Sequence, residues 1–125
     1  MRATELMVGD WVYDTITQSN IKVWAYNFLS VSDRQFAEAL EPIPLTDEIL
    51  EANFSWFENK NQERVYEWTN DYIDAYISLY TDGMWEVTVD EIEFSGLPTW
   101  KMYVSHVHEL QHALRLCGLD KEIEL

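Results

Sequence analysis

The string His108-Glu109-Leu110-Gln111-His112 is where residue types and spacing in this chain best match a known chemistry. Two histidines four residues apart on a helix share a face and can hold Zn2+. A glutamate between them can activate the metal-bound water. The string therefore spells a zinc-dependent hydrolase with His108 and His112 as ligands and Glu109 as base. His106 is a further nitrogen donor nearby. Several features weigh against this reading. A catalytic zinc needs a third protein ligand. The longer metalloprotease motif would place glycine where Arg115 stands and histidine where Gly118 stands. The glutamates downstream, Glu122 and Glu124, are too near to return on a second helix. Peptidase folds usually set this helix in mid-domain, with a cleft built from both sides. At about 100° per residue, His108 and His112 fall roughly 160° from the centre of the helix's apolar stripe, which predicts a solvated face beside Arg115. A carboxylate from an upstream strand is the open alternative for a third ligand.

Other reactive residue types carry less. Carboxylates gather loosely at Glu38, Glu41, Asp47, Glu48 and Glu51, and again at Asp90, Glu91 and Glu93. Paired carboxylates can do acid–base work or hold a cation. These lack the alternating pattern with glycine of a calcium loop and read as a solvated face. Cys117 lies on the apolar stripe, which predicts packing rather than nucleophilic chemistry. No nucleophile elbow, P-loop or dinucleotide fingerprint is present. No catalytic residue, cofactor or metal ligand is therefore assigned, with Glu109, His108 and His112 standing as the alternative.

The elements that would position these residues follow from the patterning. Met7 to Tyr13 is a Gly-Asp turn feeding an apolar run, Thr17 to Asn20 a polar turn, and Ile21 to Leu29 a strand rich in Val, Trp, Tyr and Phe. Arg34 to Leu40 fits helix or strand equally. This opening third predicts a small curled sheet or SH3-like unit. Pro42-Ile43-Pro44 forces an extended link. Thr46 is placed to cap a short helix that has Asp47 and Glu48 in its first turn and ends near Asn53. Strands follow from Phe54 to Tyr103. Val65 to Thr69 alternates, Tyr72 to Tyr80 is aromatic and β-branched, and Asp82-Gly83 makes a hairpin turn. Trp85, Val87 and Val89 share one face; a change of phase at Asp90-Glu91, with Ile92 and Phe94 next, predicts a bulge or break. Gly96-Leu97-Pro98 turns into a last strand, Trp100 to Val104. Ser105 is placed to cap a helix whose stripe is Val107, Leu110, Ala113, Leu114 and Cys117, stopped by Gly118. The apolar pair Ile123 and Leu125 is expected to tuck back onto the core. The fold class is thus α+β, with the C-terminal helix packed on the second, antiparallel sheet.

Size and charge set the remaining bounds. At 125 residues the chain predicts a single domain over 1–125, with sub-units 1–44 and 45–125. Aromatics at 14% exclude disorder. Eight Lys and Arg against 23 Asp and Glu give a net charge of −15, which excludes direct binding to a nucleic-acid backbone and disfavours anionic membranes. A basic protein partner suits it, including the reading of an acidic decoy for a nucleic-acid-binding protein. No apolar run reaches the ~18 residues of a membrane span. The start has no leader-like stretch and Cys117 is the lone cysteine, so a reducing cytoplasm is expected. Six tryptophans cannot easily all be buried in so small a domain, and some should reach a contact patch.

Three stretches resemble small uncharacterised proteins of gut Bacteroides-type bacteria and their mobile elements: Glu5 to Tyr13, Glu41 to Leu50, and Tyr103 to Gly118. Together they cover under half of the chain. Such relatives often carry glycine where this chain passes from Asn53 to Phe54. Many have Tyr-Val-His where Ser105-His106 follows Tyr103-Val104 here, and several replace the second histidine of the string. The resemblance implies an α+β fold and a bacterial or phage cytoplasmic setting, and it supplies no catalytic residues. Residues and resemblance together predict a non-enzymatic acidic cytoplasmic interaction or accessory protein. It would bind a protein partner, or a second copy of itself, through exposed strand aromatics.

Overall fold

The computed structural model describes residues 6–23, 39–69, 73–91, 100–119 and 121–125. The expectations for residues 24–29 and 34–38, for Tyr72, Ile92, Glu93 and Phe94, and for the turn at Gly96-Leu97-Pro98 lie outside the described residues, as does Trp24. The chain divides into two compact units. The first comprises Met1–Pro44 with His106–His108, and the second Leu45–Ser105 with Glu109–Leu125.

In the first unit a tight turn over Met7–Asp10 precedes the first strand. Gly9 takes φ 92, a left-handed value open to glycine. The buried Asp10 carboxylate accepts from the Met7 N–H at 2.7 Å and fixes that turn. Strand β1 (Trp11–Asp14) pairs antiparallel with β2 (Ser19–Lys22), Trp11 opposite Lys22 and Asp14 opposite Ser19. Asp14 Oδ1 accepts from Ile16 N at 2.9 Å, an Asx turn that reverses the chain between them. The two-residue β3 (Leu40–Glu41) pairs with the other edge of β1, giving the order β2-β1-β3. The described part of the expected SH3-like unit is thus a three-stranded antiparallel sheet over Val12, Val23 and Leu40. The Pro42-Ile43-Pro44 link is extended. Ile43 O accepts from Val107 N at 2.9 Å and Pro44 bridges His106, which joins residues 106–108 to this unit.

The second unit opens with helix α1 (Asp47–Asn53), capped by Thr46 Oγ1, which accepts from Ile49 N. Five antiparallel strands follow: β4 (Ser55–Glu58), β5 (Arg64–Thr69), β6 (Ile73–Thr81), β7 (Met84–Glu91) and β8 (Trp100–Val104), paired in that order. Asp82-Gly83 forms the β6–β7 turn, with Gly83 at φ 76. The strand irregularity falls between Leu79 and Thr81, and β7 runs unbroken through Asp90 to Glu91. β7 ends at Glu91, and the expected bulge or break leading to Ile92 and Phe94 runs into residues outside the described ones.

Register sorts the sheet into two faces. Trp56, Tyr66, Ile77, Val87 and Met102 lie in one cross-strand row. That row, with Ala75, Trp85, Val89 and Val104, is the inner face and holds most of the buried strand residues. Helix α2 (Val107–Leu116) packs on it, burying Leu110, Ala113 and Leu114; its last turn, Leu116-Cys117, lines a small cavity with Ile73, Val89 and Trp100. Gly118 at φ 75 ends the helix: Leu119 N returns to Leu114 O at 2.9 Å and Gly118 N to Arg115 O at 3.0 Å. Of the tail pair, Ile123 is buried and Leu125 is exposed, so one residue tucks in rather than two. Asn53 fixes that tail. Its amide donates to Glu124 O at 2.9 Å and its carbonyl accepts from Glu124 N at 2.7 Å. No helix among the described residues is long and apolar enough to cross a membrane.

Candidate functional site

The His-Glu-x-x-His string does lie on helix α2, with its histidines one turn apart. Its surroundings differ from the expectation. His108 is 7% exposed, whereas a solvated face was predicted. The helix wheel counts one buried stripe, but residues 106–108 group with the first unit, where Ile43 O accepts from Val107 N and Pro44 bridges His106. The His106 and His108 rings stack there at 5.9 Å. His112 is half-buried and groups, with Glu109, in the second unit. Glu109 Oε1 accepts from Ser105 N at 3.3 Å, so the would-be base closes the N-terminus of its own helix. The helix starts at Val107, two residues after Ser105, whose backbone N–H is the group bonded to Glu109. Among the described residues no three His, Cys, Asp or Glu side chains gather closely enough to hold a metal ion.

The other candidates are placed just as plainly. Asp47 accepts from the Tyr66 hydroxyl at 2.8 Å, and Arg64 pairs with Glu51 at 3.6 Å while lying 4.0 Å from the Trp56 ring. Asp47 and Arg64 border a shallow cleft of about 400 Å3 that also takes in Glu63, Asp82 and Trp85. The Trp85 indole donates to Leu45 O at 3.1 Å, a structural bond. Cys117 is half-buried, and burial pushes its thiol up from the ordinary cysteine value, which makes it a poor nucleophile.

The feature that sequence reasoning did not assemble is the outer face of the five-stranded sheet. Residues alternate across each strand, so Asp74, Tyr76 and Ser78 face away from Ala75 and Ile77. Register then brings aromatics together over intervening strands. Phe57 on β4 meets Tyr76 on β6 edge-on at 6.4 Å, over β5. Tyr80 on β6 meets Tyr103 on β8 at 4.8 Å, over β7. Phe57, Tyr80 and Tyr103 are 41%, 56% and 47% exposed. Carboxylates surround them. Glu67 is directly opposite Tyr76, Asp74 is directly opposite Asp90, and Glu86 is directly opposite Tyr103. Burial raises the Tyr76 hydroxyl above the ordinary tyrosine value, and Asp74, Glu67 and Asp90 raise it further. Of the tryptophans, Trp56 and Trp100 are exposed, at the two edge strands, while Trp85 is buried and Trp11 and Trp68 are half-buried.

No family model matches the chain, and no curated protein and no solved structure shows a significant match to it.

Proposed function

We propose that this chain is a non-enzymatic, acidic interaction module that binds another protein through the outer face of its five-stranded sheet. The observation that carries the reading is the pair of cross-strand aromatic contacts, Phe57–Tyr76 and Tyr80–Tyr103, on that face. A globular chain ordinarily covers such rings or uses them. Edge strands β4 and β8 flank the face and leave self-pairing as the second form of the same activity. A net charge of −15 keeps the free protein soluble and steers it toward basic surfaces. The resemblance at both ends of the chain and at the link between them fits a bacterial cytoplasmic accessory protein.

The test is a comparison of retained proteins. Immobilised chain and a Phe57→Ser/Tyr103→Ser variant of unchanged circular dichroism are exposed to lysate of a Bacteroides-type bacterium at low and high salt. Discrete proteins held by the natural chain at low salt, released at high salt and not held by the variant are expected. Identical profiles for the two would overturn the reading. Sedimentation velocity of the chain alone reports self-pairing.

A further inference from the structure

We infer that the outer face of the five-stranded sheet receives an extended, arginine-rich segment of a protein partner, whose guanidinium groups sit between the Phe57–Tyr76 rings and the carboxylates of Glu67, Asp74 and Asp90. The inference rests on the proposed interaction function and names its occupant. Three properties of the face lead to it. Charge is the first. Its strand residues include Glu67, Asp74, Glu86 and Asp90, against a single cation among the described residues, Lys101, which lies 3.9 Å from Glu86. Placement is the second. Asp74 and Asp90 occupy directly opposed positions on β6 and β7, which sets two carboxylates side by side on the face. The third is the company these carboxylates keep. Glu67 is directly opposite Tyr76, Asp74 is two residues from it on the same strand face with Asp90 directly opposite Asp74, and the Tyr76 ring meets Phe57, so π-faces and acceptors lie together. A planar guanidinium uses both, stacking on a ring while donating in a fork to carboxylates; an ammonium uses them less well. The carboxylates are too dispersed to close around one metal ion, since no such cluster occurs among the described residues. A cation distributed along a chain suits them better. A β-sheet face about five strands wide also matches the reach of an extended peptide, whose alternate side chains point one way.

The experiment measures fluorescence anisotropy of a labelled twelve-residue peptide carrying four arginines spaced by Gly and Ser. A lysine version and an acidic version are run beside it, at 20 mM and 300 mM NaCl. Two double variants change the net charge equally. Glu67→Gln/Asp90→Asn alters the face. Glu48→Gln/Glu124→Gln alters exposed carboxylates of α1 and the tail. Thermal melts establish that both are folded, and Tyr76→Leu removes the central ring. The arginine peptide is expected to bind the natural chain at 20 mM NaCl and to lose most of that binding at 300 mM. On the same reasoning the face variant weakens binding at least about tenfold, the off-face variant by less than about twofold, and Tyr76→Leu several-fold. The lysine peptide should bind several-fold more weakly than the arginine peptide. Equal weakening by the two charge variants would mean that net charge alone attracts the peptide, and would overturn the inference. So would no binding at 20 mM NaCl. If lysate partners are lost with Phe57→Ser/Tyr103→Ser yet held by Glu67→Gln/Asp90→Asn, the interaction module stands and its cationic occupant falls.

Discussion

Asn53 is expected to hold more of this fold together than any other polar side chain described. It ends helix α1 and is buried. Its amide donates to Ile49 O at 2.8 Å and to Glu124 O at 2.9 Å, and its carbonyl accepts from Glu124 N at 2.7 Å. The last two bonds copy one rung of a β-ladder, with a side chain in place of a strand. They hold the tail so that Ile123, 1% exposed, stays in the core. Asn53→Ala removes all three bonds. At about 1 kcal/mol each they contribute roughly 3 kcal/mol. Glu124 is exposed, so its freed backbone groups regain water, and alanine is the better helix former by about 0.5 kcal/mol. A net loss of about 2 kcal/mol remains. Ile123→Ala alone should destabilise by about 2–4 kcal/mol, the range for large-to-small changes in a core.

The two effects are not independent. Once the clip is gone the tail is loosened, and shortening Ile123 removes less. The double variant should therefore fall short of the sum by about 1 kcal/mol or more. Urea unfolding followed by tryptophan fluorescence gives the four stabilities of the cycle, and amide exchange over residues 119–125 reports the tail directly. Strict additivity, or an Asn53→Ala effect under about 0.5 kcal/mol, would refute the clip.

Four further outcomes follow from named groups. Gly118→Ala should destabilise by about 1 kcal/mol through backbone strain alone, because φ is +75 and an added Cβ meets nothing within 4 Å; a melt unchanged from the parent would contradict this. Tyr66→Phe removes the bond to the exposed Asp47 carboxylate, which rehydrates, so a loss of about 1 kcal/mol in urea unfolding is expected and a loss above about 3 would point to a buried charge instead. Burial and neighbouring carboxylates raise the Tyr66 and Tyr76 hydroxyls above the ordinary tyrosine value in the folded chain. The protonated form is the one the fold favours, so this contribution is intact below about pH 10 and is lost as pH rises through the folded values; Tyr76→Phe should flatten the alkaline fall in stability and remove one late step from the 295 nm absorbance titration. Dialysis of purified chain against trace zinc should leave substoichiometric metal by elemental analysis, and near-stoichiometric zinc lost in His112→Ala would restore the hydrolase reading.

What the sequence disclosed was local. Thr46 with Asp47 and Glu48, Asp82-Gly83, and Gly118 each carry their own stop or start signal within a few residues, and each takes the conformation that signal demands. The alternation of Val65 to Thr69 and of Trp85, Val87 and Val89 needs no partner strand to be read. Register does. That Asp74 meets Asp90, or that the Tyr80 ring crosses β7 to reach Tyr103, depends on where the hairpin closes and on the extra residue between Leu79 and Thr81. One residue more or less in that pairing would change every such neighbour. The outer face was written in the chain as a period of two, but its cross-strand pairs were not.

The His-Glu-x-x-His string shows the same limit from the other side. Spacing guarantees that His108 and His112 share a helix face, and spacing is all a five-residue match contains. What a zinc site needs in addition is an accessible pair, a third donor and a glutamate free to take a proton. Each is set by chain distant in sequence or by the helix terminus. Ile43 and Pro44, more than sixty residues upstream, pair with Val107 and His106, and His108 beside them is buried. Ser105 takes a Glu109 oxygen for the cap. The glutamate of the string thus has a structural bond in this fold. Tyr76 among Glu67, Asp74 and Asp90 on the outer face forms no sequence motif, because three strands supply the group.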